Sequence, residues 1–193
     1  MFRYRLFFGL AISMAGLVAI SNFLVQFPVN YFEMQNILTY AAFTYPITFL
    51  ITDLANRKYG KFIARKIVYL GFFTGVLLTL FFSTNFYDLI SVRIAIGSGS
   101  AFLFAQLLDV HVFDILRKRI WFVAPFASSL IGSFVDTFLF FSISFYNTET
   151  PWISLATGDF IVKLLMSLLM LIPFRVFFKK TIADETQLSA RLY

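Results

Sequence analysis

Six stretches of about 20 mainly apolar residues follow one another along this chain, with only short polar breaks between them. They run roughly over Leu6–Phe27, Ile37–Leu54, Phe62–Ser83, Val92–Val112, Trp121–Tyr146 and Ile153–Phe178. A helix rises about 1.5 Å per residue, so each run matches a hydrocarbon layer of about 30 Å. Backbone groups in hydrocarbon must bond to one another, and a run of this kind does so as a helix. The expected fold is an all-α integral membrane protein, a six-transmembrane-helix bundle, forming a single domain over residues 1–193. Composition agrees: 13% of residues are charged, against about 25% in soluble domains. Arg3 and Arg5 before the first run also fit a secretory signal peptide. The run is too long for one, however, and has no small-residue cleavage site.

The charges give the bundle a direction. Arg3 and Arg5 precede the first span, and Arg57, Lys58, Lys61, Arg65 and Lys66 surround the second connection. Arg117, Lys118 and Arg119 fill the fourth, while Arg175, Lys179, Lys180 and Arg191 follow the last span. The alternate connections carry Glu33, Asp88 and Glu149, with Arg93 at a helix start. Alternation of this kind places both termini in the cytoplasm by the positive-inside rule. The net charge of +6 is therefore a topology signal. Nucleic acid is not an expected partner, because no soluble face gathers the basic residues.

Several polar side chains remain inside the apolar runs, where a charge costs about 2.5–3.5 kcal/mol on insertion scales. Asn22 and Gln26 are four apart and share a helix face; Gln106 and Asp109 are three apart and do the same. Gly97, Ala101, Ala105 and Asp109 form a small-residue stripe, as do Ser128, Gly132 and Asp136. Such stripes let helices approach closely, and they are also the surfaces on which a homodimer could form. Each stripe ends in a carboxylate, so Asp109 and Asp136 are expected to face the bundle interior and to serve a site. Asp159 and Lys163 form an i,i+4 pair, read here as a structural ion pair or a substrate clamp. Asp53, beside Arg57, reads as a helix-end charge, Arg93 as a snorkelling one, and His111 as a helix-end residue.

No catalytic residue and no cofactor is expected. Cysteine is absent and histidine occurs once, which removes thiolate and multi-histidine metal sites. Ser98 or Ser100 would lie roughly 16–20 Å from His111 along one helix, too far for a nucleophile and its base. An aspartyl protease could use Asp109 and Asp136, but neither sits in a suitable motif, and "TGDF" at Thr157–Phe160 lacks the second glycine. Walker, GxSxG and HExxH sequences are not present.

Six segments together resemble a known family. They are "SNFLVQFP" (Ser21–Pro28), "TDLANRKYGKFIARK" (Thr52–Lys66), "VRIAIGS" (Val92–Ser98), "AQLLDVHVFDILR" (Ala105–Arg117), "APFASSLIGSFVDTFLFFSISF" (Ala124–Phe145) and "DFIVKLLMSLLMLIP" (Asp159–Pro173). In this order they are similar to the VUT family of queuosine precursor transporters, six-helix proteins of the bacterial inner membrane. The chain departs from the family in a short N-terminus and short outer connections. The resemblance implies uptake of 7-cyano-7-deazaguanine or 7-aminomethyl-7-deazaguanine, small-molecule substrates salvaged to make queuosine in tRNA. Membrane lipid is then the surrounding partner.

A deazaguanine presents a ring N–H and an amino group that a carboxylate accepts, a carbonyl that wants a donor, and a flat face for stacking. Asp136 is expected at that edge, with Asn22, Gln26 and Gln106 as amide partners. Phe23, Phe134 and Phe140 are the stacking candidates. Asp109 would meet a cationic aminomethyl group, and Lys163 the substrate if it acts as a clamp. Two other readings stand beside this one: a substrate-binding subunit of an energy-coupling-factor importer for a vitamin or purine, and an intramembrane aspartyl protease.

Overall fold

The structure is a computed structural model that describes residues 2–31, 34, 38–82 and 84–190. Glu33 and Arg191 lie outside the described residues, as do the expected span ends Ile37 and Ser83. So do the side chains of residues 2–6 and 180–190, among them Arg3, Arg5 and Lys180.

The described residues form helices α1 (Phe2–Leu24), α2 (Ala41–Thr44), α3 (Pro46–Tyr59), α4 (Lys61–Phe82), α5 (Leu89–Leu116), α6 (Val123–Phe145) and α7 (Trp152–Ala190). Five of them are long and apolar enough to cross a membrane. The sixth span is α2 and α3 taken end to end. Tyr45 between them is itself helical at φ −58°, ψ −41°, so the chain bends there without leaving the helical path. The bend has a local cause, since Pro46 brings no N–H to the ladder. This span runs Ala41–Tyr59 rather than Ile37–Leu54. Its far end is prolonged because Arg57 and Lys58 suit the negative end of the helix dipole. Gly60, at φ 83°, closes it and donates its N–H to the Asn56 carbonyl at 2.8 Å.

Between α1 and α2 the chain folds back on itself rather than forming a simple loop. Val29 N–H bonds Leu38 O at 2.9 Å and Tyr40 N–H bonds Phe27 O at 3.1 Å, around the Pro28–Thr39 bridge. The small-residue stripes bring α5 and α6 together. A Cβ on Gly132 would stand 2.6 Å from the Phe49 ring and 3.4 Å from the Ala105 carbonyl oxygen. One on Gly97 would stand 3.3 Å from the Phe140 carbonyl oxygen. These stripes are spent inside the chain, so they are not a surface for a second copy.

The basic connections come together at one end. Arg57 donates to the Arg117 carbonyl at 2.8 Å, Lys61 pairs with Asp114 at 3.1 Å, and Arg57 covers the Phe178 ring at 4.3 Å. At the other end Asp88 caps α5, accepting from Ile90 and Ser91 N–H at 3.1 Å each. Arg93, near the start of α5, is partly exposed and also ties α5 to the next helix. Its guanidinium donates to Ile143 O at 3.0 Å and Tyr146 O at 2.7 Å, closing the C-terminal turn of α6.

Candidate functional site

Asp136 and Lys163 meet across α6 and α7. Lys163 Nζ donates to Asp136 Oδ2 at 2.8 Å and to Thr137 Oγ1 at 3.0 Å, and pairs with Asp159 Oδ2 at 2.6 Å. Thr137 in turn donates to Asp159 Oδ2 at 2.8 Å. All three ionisable groups are at most 4% exposed, and the Tyr45 ring lies 5.1 Å from the ammonium. Two carboxylates on one ammonium leave a formal charge of −1 if all are ionised. Breaking such a buried set strands an uncompensated charge, which costs about 3–5 kcal/mol. Asp136 Oδ1 is the atom this arrangement leaves over, buried and without a partner.

Asp136 is also one of the residues that line a cavity between α1, α2, α5, α6 and α7. Ser21, Asn22, Ser98, Phe140 and Phe141 line it together with the charged trio and Tyr45. Its volume is about 20 Å³, enough for one water-sized sphere. A bicyclic base therefore enters only if the walls part. Next to it, sharing Asn22 and Val25, opens a wide polar vestibule of about 430 Å³. Gln26, Asn85, Asp88 and Ser91 line that vestibule at the end opposite the basic loops.

The structure divides the expected site residues into groups. Asp136, Lys163, Asn22 and Phe140 converge on the small cavity. The Asn22 amide is engaged there, donating to Thr79 Oγ1 at 2.9 Å. Gln26 lines the vestibule with Asn22, but from the turn beyond the end of α1 at Leu24 and not from a shared helix face. Gln106 faces α3 and uses both ends of its amide, accepting from Thr52 at 2.5 Å and donating to Thr48 at 2.8 Å. Asp109 is fully buried but lies outside this cavity, near Asp53. Phe23 and Phe134 are half exposed on the outside of the bundle. Sequence reasoning passed over Tyr45, Ser21 and Phe141, and weighed Ser98 only as a nucleophile. Ser21 precedes Asn22 inside a quoted motif, but Tyr45 and Phe141 carry no signal among so many aromatics.

Buried ions in a six-span bundle, beside a polar vestibule, are the arrangement expected of a membrane transporter. The chain belongs to the family described as "Putative vitamin uptake transporter", whose model matches residues 39–178. It is 33% identical to the "Queuosine precursor transporter" of Escherichia coli (strain K12), over 97% of this chain and 95% of that protein. It is 35% identical to the "Probable queuosine precursor transporter" of Haemophilus influenzae (strain ATCC 51907 / DSM 11121 / KW20 / Rd), over 81% of this chain and 79% of that one. A protein of the same printed name from Bacillus subtilis (strain 168) is 30% identical over 75% of the chain. No solved structure matches it. The chain is accordingly a multi-pass bacterial membrane protein.

Proposed function

We propose that this protein imports queuosine precursors, the 7-deazaguanine bases, across the bacterial inner membrane, with its basic end in the cytoplasm. The observation that supports this most is Asp136, with its unpartnered Oδ1 and its bond to Lys163, among the residues lining a cavity that adjoins a polar vestibule. The names of the relatives point the same way.

In this reading Asp136, held in place by Lys163, accepts the N–H groups of the base, and Asn22 faces its carbonyl. Phe140, Phe141 and Tyr45 supply the flat apolar contact. The trio's formal charge of −1 suits the cationic aminomethyl base, and the neutral cyano base uses the same hydrogen bonds. Catalysis has no part in it. A homodimer belongs to the same proposal.

The test is binding to the purified protein. Either deazaguanine should raise its melting temperature, corresponding to about 2.7 kcal/mol at a hundredfold excess over Kd. The family's description favours a second substrate class, the vitamins. A vitamin that raises the melting temperature while both bases leave it unchanged would overturn the proposal in favour of that class.

A further inference from the structure

A second buried polar group lies in the half of the bundle nearer the basic end. On α3 the residues Thr48, Thr52, Asp53 and Asn56 are all buried, though this half of the span should face hydrocarbon or apolar neighbours. Thr48 and Thr52 are taken up by Gln106, and Asn56 donates to the Val110 carbonyl at 2.9 Å. Asp53 is left facing α5 and α6, where it accepts from Ser128 at 3.2 Å and Ser129 at 3.4 Å. The Thr52–Gln106 and Asn56–Val110 hydrogen bonds bracket Asp53 on α3 and Asp109 on α5, so the two carboxyls lie at the same level of this helix contact. Asp109 is wholly buried, and neither of its oxygens has a hydrogen-bond partner.

Among the described residues, no lysine or arginine comes within ion-pair distance of either carboxyl. On α3, Arg57 donates to the Arg117 carbonyl and lies over Phe178. Lys61 of α4 and Arg117, which follows α5, are held by Asp114. His111 of α5 is exposed. On α7, Lys163 is held by Asp136 and Asp159, and the groups nearest the pair's cavity, Ser167 and Phe174, are neutral. The cavity beside Asp53 measures about 10 Å³, too little for a hydrated ion. Two carboxylates together in so dry a place are costly to keep both charged, and a proton shared between them removes that cost.

A line of hydroxyls leads to this pair from the proposed substrate cavity. Ser129, Ser133 and Asp136 follow one another on one face of α6, and the Ser133 hydroxyl is buried without a partner. We propose that Asp53 and Asp109 bind the proton whose movement down its gradient drives import of the base. One proton enters from the vestibule side and one leaves toward the basic end per cycle, so the pair returns to its starting charge. This rests on the carrier reading above and adds the driving force to it.

Two measurements test it separately from the substrate. Infrared spectra of the purified protein in lipid, recorded across a pH titration, should contain a protonated-carboxyl C=O band. That band should be lost in Asp109→Asn and in Asp53→Asn. In liposomes, wild-type protein should concentrate labelled 7-cyano-7-deazaguanine when the outside is acid, and a protonophore should abolish this. Each Asn variant should retain the melting shift given by the base and equilibrate it, while losing concentrative uptake.

The proposal falls if binding is normal but the pH gradient has no effect, or if a sodium gradient drives uptake instead. It falls equally if both variants concentrate the base as wild type does. If neither base shifts the melting temperature, it is the substrate assignment that fails. The carboxyl band still decides the pair in that case, and its absence from the wild-type spectrum overturns the inference.

Discussion

At the scale of single residues, the decisive atom is Asp136 Oδ1. Its sister oxygen is held by Lys163, so the carboxylate is fixed in place while one acceptor remains free. A hydrogen bond to a charged group is worth about 1.5–3 kcal/mol, and a tenfold change in affinity about 1.4 kcal/mol. Asp136→Asn should therefore weaken base binding by about 10- to 100-fold in a titration of purified protein. Asp159 still holds Lys163, so the variant should remain folded. Unchanged affinity in a folded variant would remove Asp136 from the site. The spacing of Asp159 and Lys163 was legible in the sequence because both lie on one helix. That Asp136, on the preceding helix, shares the same ammonium was not, since it depends on how α6 and α7 pack. Asp53 misled for the same reason. Beside Arg57 it reads as a helix-end charge, yet it turns toward α5 and α6. Among 28 phenylalanines, spacing alone could not separate Phe140, on the cavity, from Phe23 and Phe134, on the outer surface.

At the scale of helices, the α5–α6 seam is set by residues that lack side chains. Gly132 is closed in by the Phe49 ring and the Ala105 carbonyl, both on neighbouring helices. Phe49 is itself fully buried and has no room to retreat. Gly132→Ala should lower stability by about 1–3 kcal/mol, the usual cost of overpacking. Gly16→Ala, on α1 where a Cβ meets nothing within 4 Å, should stay within about 0.5 kcal/mol of wild type. Thermal unfolding of both variants in one detergent is the comparison, and equal melting temperatures would mean the seam is not packed this tightly. The stripes that make this seam were readable in the sequence, because small residues four apart share a helix face. Six spans were readable too, from hydropathy. The bent second span was the exception. Its apolar run ends at Leu54, but Pro46 and the basic pair Arg57–Lys58 determine where the helix bends and stops.

Across the described residues, wide cavities lie toward both ends and small ones between them. The vestibule of about 430 Å³ faces one side, and a cavity of about 180 Å³, lined by Leu10, Arg57 and Phe177 among others, faces the other. Between them the two polar cavities measure about 20 and 10 Å³. A pore would join the two ends, whereas a carrier must never open both together. The absence of cysteine makes this distinction measurable, since single cysteines can be added to a silent background. Gln26→Cys in the vestibule should react readily with a membrane-impermeant maleimide applied outside intact cells. Ser98→Cys, on the substrate cavity, should react more slowly and be shielded by added deazaguanine. Ser129→Cys, next to Asp53, should stay unlabelled from that side. Equal labelling at all three positions would describe a continuous water-filled path through the bundle, and a proton gradient could not be harnessed across such a path.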